Sequence, residues 1–220
     1  AGVRRVVYSA SSSAYGNSNT IPVSEDQAAS PLSPYAASKL SGESLVAAYA
    51  ESYGLSAVSL RYFNIFGPRQ PAGSPYSGVV PIFASRVLAG ERPEVHGDGS
   101  QTRDFTYVGN AVLANLLAGQ SGAPLIGQAV NVGTGSRTSV GDLARRVAAF
   151  FDREDLEPEF GPPRTGDVQH SCAAVERAGE LLGYEPLAGF EDGLAETLDW
   201  WRAEHAGAGV PGDRGPGRGV

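Results

Sequence analysis

Residues 5–9, Arg5-Val6-Val7-Tyr8-Ser9, form a short β-rich run that ends in small side chains. A polar stretch rich in Gly, Asn, Ser and Pro follows over residues 10–34. At that length a loop is functional rather than a plain connection. Residues 35–53 then carry an apolar stripe at helical spacing, Leu40, Val46, Ala47 and Ala50. Ser33 is placed as the N-cap of this helix, Pro34 as its first residue and Gly54 as its end. Residues 55–63 predict a second strand before the breaker cluster Gly67-Pro68-Arg69. Strand, helix, strand in this order predicts a right-handed crossover and a parallel sheet, hence an α/β fold.

Further along, the pattern alternates in the same way. Residues 67–77 read as a Pro/Gly loop, 79–89 as a helix and 94–96 as a short strand before the turn Gly97-Asp98-Gly99. Residues 103–108 predict a strand, 109–117 a helix, 129–132 a strand, and 139–151 a helix capped by Ser139. Two more helices are expected over residues 171–182 and 190–204, then a disordered Gly/Pro tail over 206–220. Gly207-Ala208-Gly209-Val210-Pro211-Gly212 in that tail matches G-x-G-x-x-G, but it follows a helix and precedes Gly215-Pro216-Gly217. The strand before and helix after that a dinucleotide turn requires are absent. There are no internal repeats.

Composition narrows the class. A chain of 220 residues, 41% hydrophobic and 19% charged, makes one large domain or one domain plus a smaller lobe. A net charge of −7 argues against a general nucleic-acid or membrane surface. One Cys excludes an intramolecular disulfide, and no Cys/His spacing suggests a metal site. No apolar run reaches the roughly 18 residues of a membrane span and no signal peptide is visible, so the cytoplasm is the simplest location. The chain has no Met and its first residues run straight into a strand. It is therefore expected to be the later part of a longer protein or a truncated reading frame.

One pair of side chains changes the picture. The 17 basic residues are 16 Arg and a single Lys, Lys39. An ammonium is a compact point charge on a flexible stem, unlike a planar guanidinium. Tyr35 lies four residues earlier, so phenol and ammonium share a helix face. Spacing alone favours two ordinary surface residues. The retention of one Lys in an otherwise all-Arg chain is what singles the pair out.

The segment Ser9-Ala10-Ser11-Ser12-Ser13-Ala14-Tyr15-Gly16 precedes that helix at the end of a strand. The order strand, Ser cluster, loop, Tyr-x-x-x-Lys helix, strand resembles the extended short-chain dehydrogenase/reductases. Leu60-Arg61-Tyr62-Phe63-Asn64-Ile65-Phe66-Gly67-Pro68 is similar to the family's R-x-x-N-x-x-G-P segment. The run from Gly97-Asp98-Gly99 through Arg103-Asp104-Phe105 to Val108 is similar to its G-D-G-x-x-x-R-D-F/Y-x-x-V segment. Asn131-Val132-Gly133-Thr134-Gly135 and Pro163-Arg164-Thr165-Gly166-Asp167-Val168 complete five ordered motifs spanning residues 1 to about 204. The nearest branch is the nucleotide-sugar epimerases acting on UDP-glucose or UDP-N-acetylglucosamine.

The resemblance implies the C-terminal half of a Rossmann-type doubly wound parallel sheet plus a smaller α/β substrate-binding lobe. Residues 1–66 would be the second half of the Rossmann domain and 67–108 a substrate-binding segment. Residues 109–133 would return to the Rossmann domain, 134–205 form the lobe, and 206–220 the tail. The glycine-rich turn and the acidic residue that grips the adenosine ribose would precede Ala1. The chain alone is then expected not to hold NAD tightly.

The same resemblance implies roles. Inverting a hydroxyl-bearing sugar carbon is feasible through a transient ketone, which requires a hydride acceptor and a base. A free phenol titrates at about 10, and a neighbouring ammonium favours phenolate. Tyr35 is thus implied as the general acid/base and Lys39 as its tuner and a ligand of the nicotinamide ribose. Ser11, with Ser12 and Ser13, would hydrogen-bond the sugar oxygen, while Ser9 and Phe63 lie on the nicotinamide side. The family's dehydratases carry Asp-Glu at the positions of Ser12 and Ser13, and its decarboxylases a Glu in this loop; hydroxyls here fit epimerisation at C4. Arg103 and Arg164 match the two phosphate-binding arginines, and Asn64 contacts phosphate or sugar. Val95 and His96 match the segment whose backbone meets uracil, so His96 is a packing residue rather than a catalyst. Asp167 reaches the nucleoside ribose. Ser171 stands at a pocket-wall position where a small residue admits 2-acetamido sugars; a second reading makes it the cap of a helix over 172–182. The implied partners are a UDP-sugar and a second copy of the chain, a homodimer formed through the Tyr-x-x-x-Lys helix with Ala47, Ala48 and Ala50 allowing close packing. The competing reading is a truncated, inactive module that binds nucleotide-sugars without turnover.

Overall fold

The computed structural model describes residues 2–18, 20–74, 77–164 and 167–207. In chain order these form β1 (Arg5–Ser11), a 3-10 turn (Ser12–Tyr15), α1 (Pro34–Tyr53), β2 (Ser56–Tyr62), β3 (Ile65–Phe66), α2 (Val79–Leu88) and β4 (Glu94–His96). There follow β5 (Thr102–Arg103), β6 (Thr106–Tyr107), α3 (Val108–Gln120), β7 (Ile126–Val132), β8 (Thr138–Ser139), α4 (Val140–Phe150), β9 (Glu159–Gly161), α5 (Glu176–Leu182) and α6 (Phe190–Gly207). The central sheet has the order β1-β2-β7, with both pairings parallel. α1 packs on one face; α3 and α5 pack on the other, where Val58, Leu60, Val130 and Val132 meet Ala114, Ala118, Ala178 and Leu182. Among the described residues no helix is long and apolar enough to cross a membrane.

α1 begins and ends where its sequence dictates. The Ser33 side chain accepts from Ala36 N, Pro34 fills the first turn, and Gly54 closes the helix at φ 65°. Ala47 and Ala50 face the sheet rather than a partner: Gly127 of β7 passes so close that a Cβ there would lie 2.6 Å from Ala47 Cα. This corrects the expectation of close packing against a second copy for Ala47 and Ala50, while Ala48, the third of that set, is exposed. The outward row is instead Leu45, Tyr49 and Tyr53.

A second core lies beside the sheet, built from Phe83, Val87, Leu143, Val147, Leu198 and neighbours on α2, α4 and α6. The buried carboxylate of Asp104 joins it to the sheet. It accepts from Thr134 N at 2.9 Å, Thr134 Oγ1 at 2.8 Å, Gly135 N at 3.0 Å and Ala173 N at 3.1 Å. Burial pushes its pKa up, and these donors pull the other way. The strand expected over 103–108 is consequently two short pieces, because Asp104 turns inward to donors that no neighbouring strand supplies.

Other boundaries also move. The helix expected over 171–182 starts only at Glu176. Residues 171–174 are extended instead, with Ser171 N donating to Thr102 O and Ala174 N to Val23 O. Ser171 therefore caps no helix. α5 packs on the sheet core, so the lobe drawn over 134–205 is interrupted there. β9 pairs in parallel with β4, a long-range match that local pattern could not reveal. Ala206 and Gly207, assigned to the tail, continue α6, and residues 208–220 lie outside the described residues.

Two substitutions test this packing. Asp104→Asn loses a charge and turns an amide NH2 toward backbone donors, so it should cost roughly 3 kcal/mol, read as a lower urea midpoint at unchanged slope. Gly127→Ala meets both a positive φ of 91° and the Ala47 backbone. It should destabilise by about 1–3 kcal/mol in the same titration.

Candidate active site

The carboxyl ends of β1 and β2 open on a cleft of about 400 Å3, the place where open parallel sheets bind ligands. β1 and the 3-10 turn supply Ser11, Ser12 and Ser13; the first turn of α1 supplies Tyr35; the chain leaving β2 supplies Asn64 above Phe63. Arg103, Asp167 and Ser171 form the facing wall. A second bay of about 280 Å3 shares Asn64, Arg103 and Asp167 and runs on to Val95, His96 and Arg164. Of the side chains singled out in the sequence, only Ser9 and Lys39 line neither bay. Lys39 Nζ donates to Ser9 O at 3.0 Å and stands 5.9 Å from the Tyr35 ring centroid and 5.7 Å from that of Tyr8.

Local geometry prepares several of these groups. Ser11 Oγ accepts from Ser13 N at 3.2 Å and Ser13 Oγ at 2.8 Å, which leaves its own proton to donate outward. Asn64 sits at φ 25°, a strained conformation in which Asn is the commonest tolerated side chain after Gly. Tyr35 is 44% exposed at the cleft mouth. Arg103 holds Asp167 at 2.6 Å while its Nη1 donates to Thr102 O at 2.9 Å. His96 offers its carbonyl to Gln101 Nε2 at 2.7 Å, with its ring exposed. Phe63, only 1% exposed, turns its ring into a cluster with Tyr15, Val23 and Ala173. It supports the cleft floor from the interior.

The long loop after the Ser run is held by side chains. Glu25 accepts from Asn131 N at 2.7 Å, satisfying the outer edge of β7, and Arg177 Nη2 bonds Asp26 at 2.5 Å. Among the described residues there is no group of three or more His, Cys, Asp and Glu able to hold a metal.

Sequence reading missed four cleft residues. Tyr15 is buried and donates from its hydroxyl to Asn131 Oδ1 at 2.7 Å. Burial raises its pKa, and Arg61, 4.6 Å from the ring centroid, opposes that. Gln70 donates to Ile65 O at 3.3 Å, and its buried Oε1 has no partner among the described residues. His170 Nδ1 lies 3.0 Å from Thr102 Oγ1, and Tyr62 OH accepts from Asn115 at 2.7 Å. The contacts of Tyr15, His170 and Tyr62 are long-range, while that of Gln70 spans five positions. Behind the cleft, Glu43 is a carboxylate interrupting the inward face of α1, which local pattern could have flagged.

Comparison with known proteins agrees with this geometry. The profile of the NAD dependent epimerase/dehydratase family matches residues 1–133. A UDP-glucose 4-epimerase from Mycolicibacterium smegmatis is 42% identical over 204 residues, covering 92% of this chain and 64% of that protein. The structure of a UDP-glucose 4-epimerase with UDP-glucose from Thermotoga maritima superposes with a TM-score of 0.87 at 38% identity, covering 93% and 65% of the two chains. A UDP-N-acetylglucosamine 4-epimerase from Methanobrevibacter ruminantium, in complex with UDP-N-acetylmuramic acid, gives 0.85 at 37%, covering 91% and 64%. Proteins named dTDP-glucose 4,6-dehydratase and UDP-N-acetyl-alpha-D-glucosaminuronate decarboxylase also match, at 32% and 33% identity. The chain spans a little under two thirds of the length of the first of these relatives. On this match over more than half its length, the chain belongs to the NAD dependent epimerase/dehydratase family.

Proposed function

We propose that this chain carries the catalytic and substrate-binding part of an NAD-dependent nucleotide-sugar 4-epimerase, acting on UDP-glucose/galactose or their N-acetylated equivalents. One observation carries the choice among the family's reactions. Around Tyr35 the cleft is lined by the hydroxyls of Ser11, Ser12 and Ser13, and among the described residues its one carboxylate, Asp167, is already held by Arg103. Elimination of water or loss of CO2 calls for a further acid/base beside the sugar; inversion at C4 does not.

The donors present fit NAD. Lys39 Nζ carries three N–H donors and gives one to Ser9 O, so two can face ribose hydroxyls. NAD, when bound, supplies the hydride acceptor and donor that passage through a 4-keto sugar requires. Tyr35 takes the C4 hydroxyl proton and returns it. Ser11 donates a hydrogen bond to the C4 oxygen. Arg103 exchanges Asp167 for the diphosphate, which freed Asp167 to meet a ribose hydroxyl, and Arg164 closes on the same anion. Val95 and His96 receive the base in the second bay. Ser171, small and on the cleft wall, leaves room for a 2-acetamido group. The exposed row Leu45, Tyr49 and Tyr53 on α1 (62%, 55% and 78% exposed) is the surface we assign to a second copy.

The test is NMR of UDP-glucose and UDP-N-acetylglucosamine incubated with the full-length protein and NAD. C4 inversion of both is expected. Tyr35→Phe should lower kcat by at least about 100-fold; full activity in that variant would refute the assigned base. Ser171→Tyr should abolish turnover of UDP-N-acetylglucosamine and spare UDP-glucose. A wild-type protein strict for UDP-glucose would sink the pocket-wall assignment.

A further inference from the structure

Tyr35, Lys39 and Glu43 fall at i, i+4 and i+8 of α1, one above the other. Glu43 is buried on the sheet-facing side, between Ala36 and Ala50. Its partner is Arg61 of β2. Arg61 Nε donates to Glu43 Oε2 at 2.9 Å, and Nη2 meets Oε1 to complete a two-point fork. The two side chains are 6% and 11% exposed. Burial opposes the Arg61 charge, yet the hydrogen bond to Glu43 and the neighbouring Tyr15 outweigh it and hold the guanidinium above its ordinary pKa. The same guanidinium lies over the Tyr15 ring, and Tyr15 ends the turn that begins at Ser12. One side chain thus touches the helix that bears Tyr35 and Lys39 and the turn that bears the Ser run.

Stability alone does not explain such a pair, since well-packed apolar side chains often replace a buried ion pair at little cost. The rest of the α1 interface pairs the small residues Ala36, Ala47, Ala50 and the opposing Gly127 with one large side chain, Tyr8, which packs against Gly42 and donates to Lys39 O at 3.3 Å. Small side chains resist sliding and rotation poorly and the Tyr8 hydroxyl holds α1 at one point, whereas a bidentate fork fixes both rotation and height. We propose that the Arg61–Glu43 pair is a positioning device. It sets the rotation and height of α1, so that Tyr35 shares the cleft with Ser11 and Lys39 reaches Ser9 O, and through Tyr15 it sets the turn opposite. Calling the positioned groups a proton-transfer site rests on the proposed function; the positioning itself does not.

The single Lys makes this measurable in the chain as it is. Lysine labelled with 13C gives one ε-methylene signal, and Lys39, held on Ser9 O between the Tyr8 and Tyr35 rings, should resonate away from the free-lysine position. Glu43→Gln and the double variant Glu43→Leu/Arg61→Met are compared by circular dichroism and NMR. The expected result is a native far-ultraviolet spectrum in both, with the Lys39 signal shifted to the free-lysine position. A core variant remote from the pair, Leu143→Ala, should lower the melting temperature and leave the signal in place. Retention of the wild-type signal in the folded double variant would overturn the proposal. So would loss of fold in that variant, or displacement of the signal by Leu143→Ala. Because the readout needs no turnover, failure of the epimerase assay would overturn the proposed function and leave this result standing.

Discussion

A single buried carboxylate makes the cleft possible. Asp104 gathers backbone N–H groups from Thr134, Gly135 and Ala173, three donors that would otherwise be orphaned where β7 ends and the 171–174 segment crosses. Such donors are costly to bury unpaired. Their common acceptor lies one residue after Arg103, so anchoring Asp104 aims Arg103 at the cleft. The polarity of Arg-Asp-Phe thereby divides the work: the cation faces the ligand space, the anion fastens the lobe to the sheet, and Phe105 packs in the second core.

The opposite wall is organised by α1. Its N-terminus is fixed by the Ser33 cap, its middle by Arg61–Glu43, and its close approach to the sheet by Gly127. Each acts at a different height, and together they bring the first turn, with Tyr35, to the end of β1 where the Ser run begins. Within the long loop between them, Glu25 is tied to β7 and Asp26 to Arg177. Charge follows the same plan. In a chain of net charge −7, Arg103 lines both bays and Arg164 the second, and Arg103 is paired with Asp167. A site built in this way is suited to an anionic ligand.

Much of this was legible in the residues. β1, α1, β2, α2, β4 and α4 follow from period, caps and breakers, because those signals act over a few residues. The side chains of the cleft were legible only as members of ordered motifs; Ser11, Tyr35 and Arg103 have ordinary local patterns. Where the reading failed, a distant partner had won. The strand at 103–108 breaks because Asp104 turns inward. The helix at 171–182 starts late because Val23 and Thr102 capture residues 171–174 as extended chain. Ala47 and Ala50 pack on Gly127 of the sheet.

The sequence by itself determined the α/β alternation, the placement of Tyr35 and Lys39 on one helix face, and the hydroxyl rather than acidic character of the loop before them. Helical and strand periods, capping and side-chain chemistry are local properties, and they survive in any fold that keeps the segments. Only the tertiary structure decided that Arg103 faces Asp167, that Tyr15 meets Asn131 beneath the cleft, and that Arg61 grips Glu43 behind it. Those contacts join residues from 18 to 116 positions apart, and no local preference specifies which buried donor meets which acceptor.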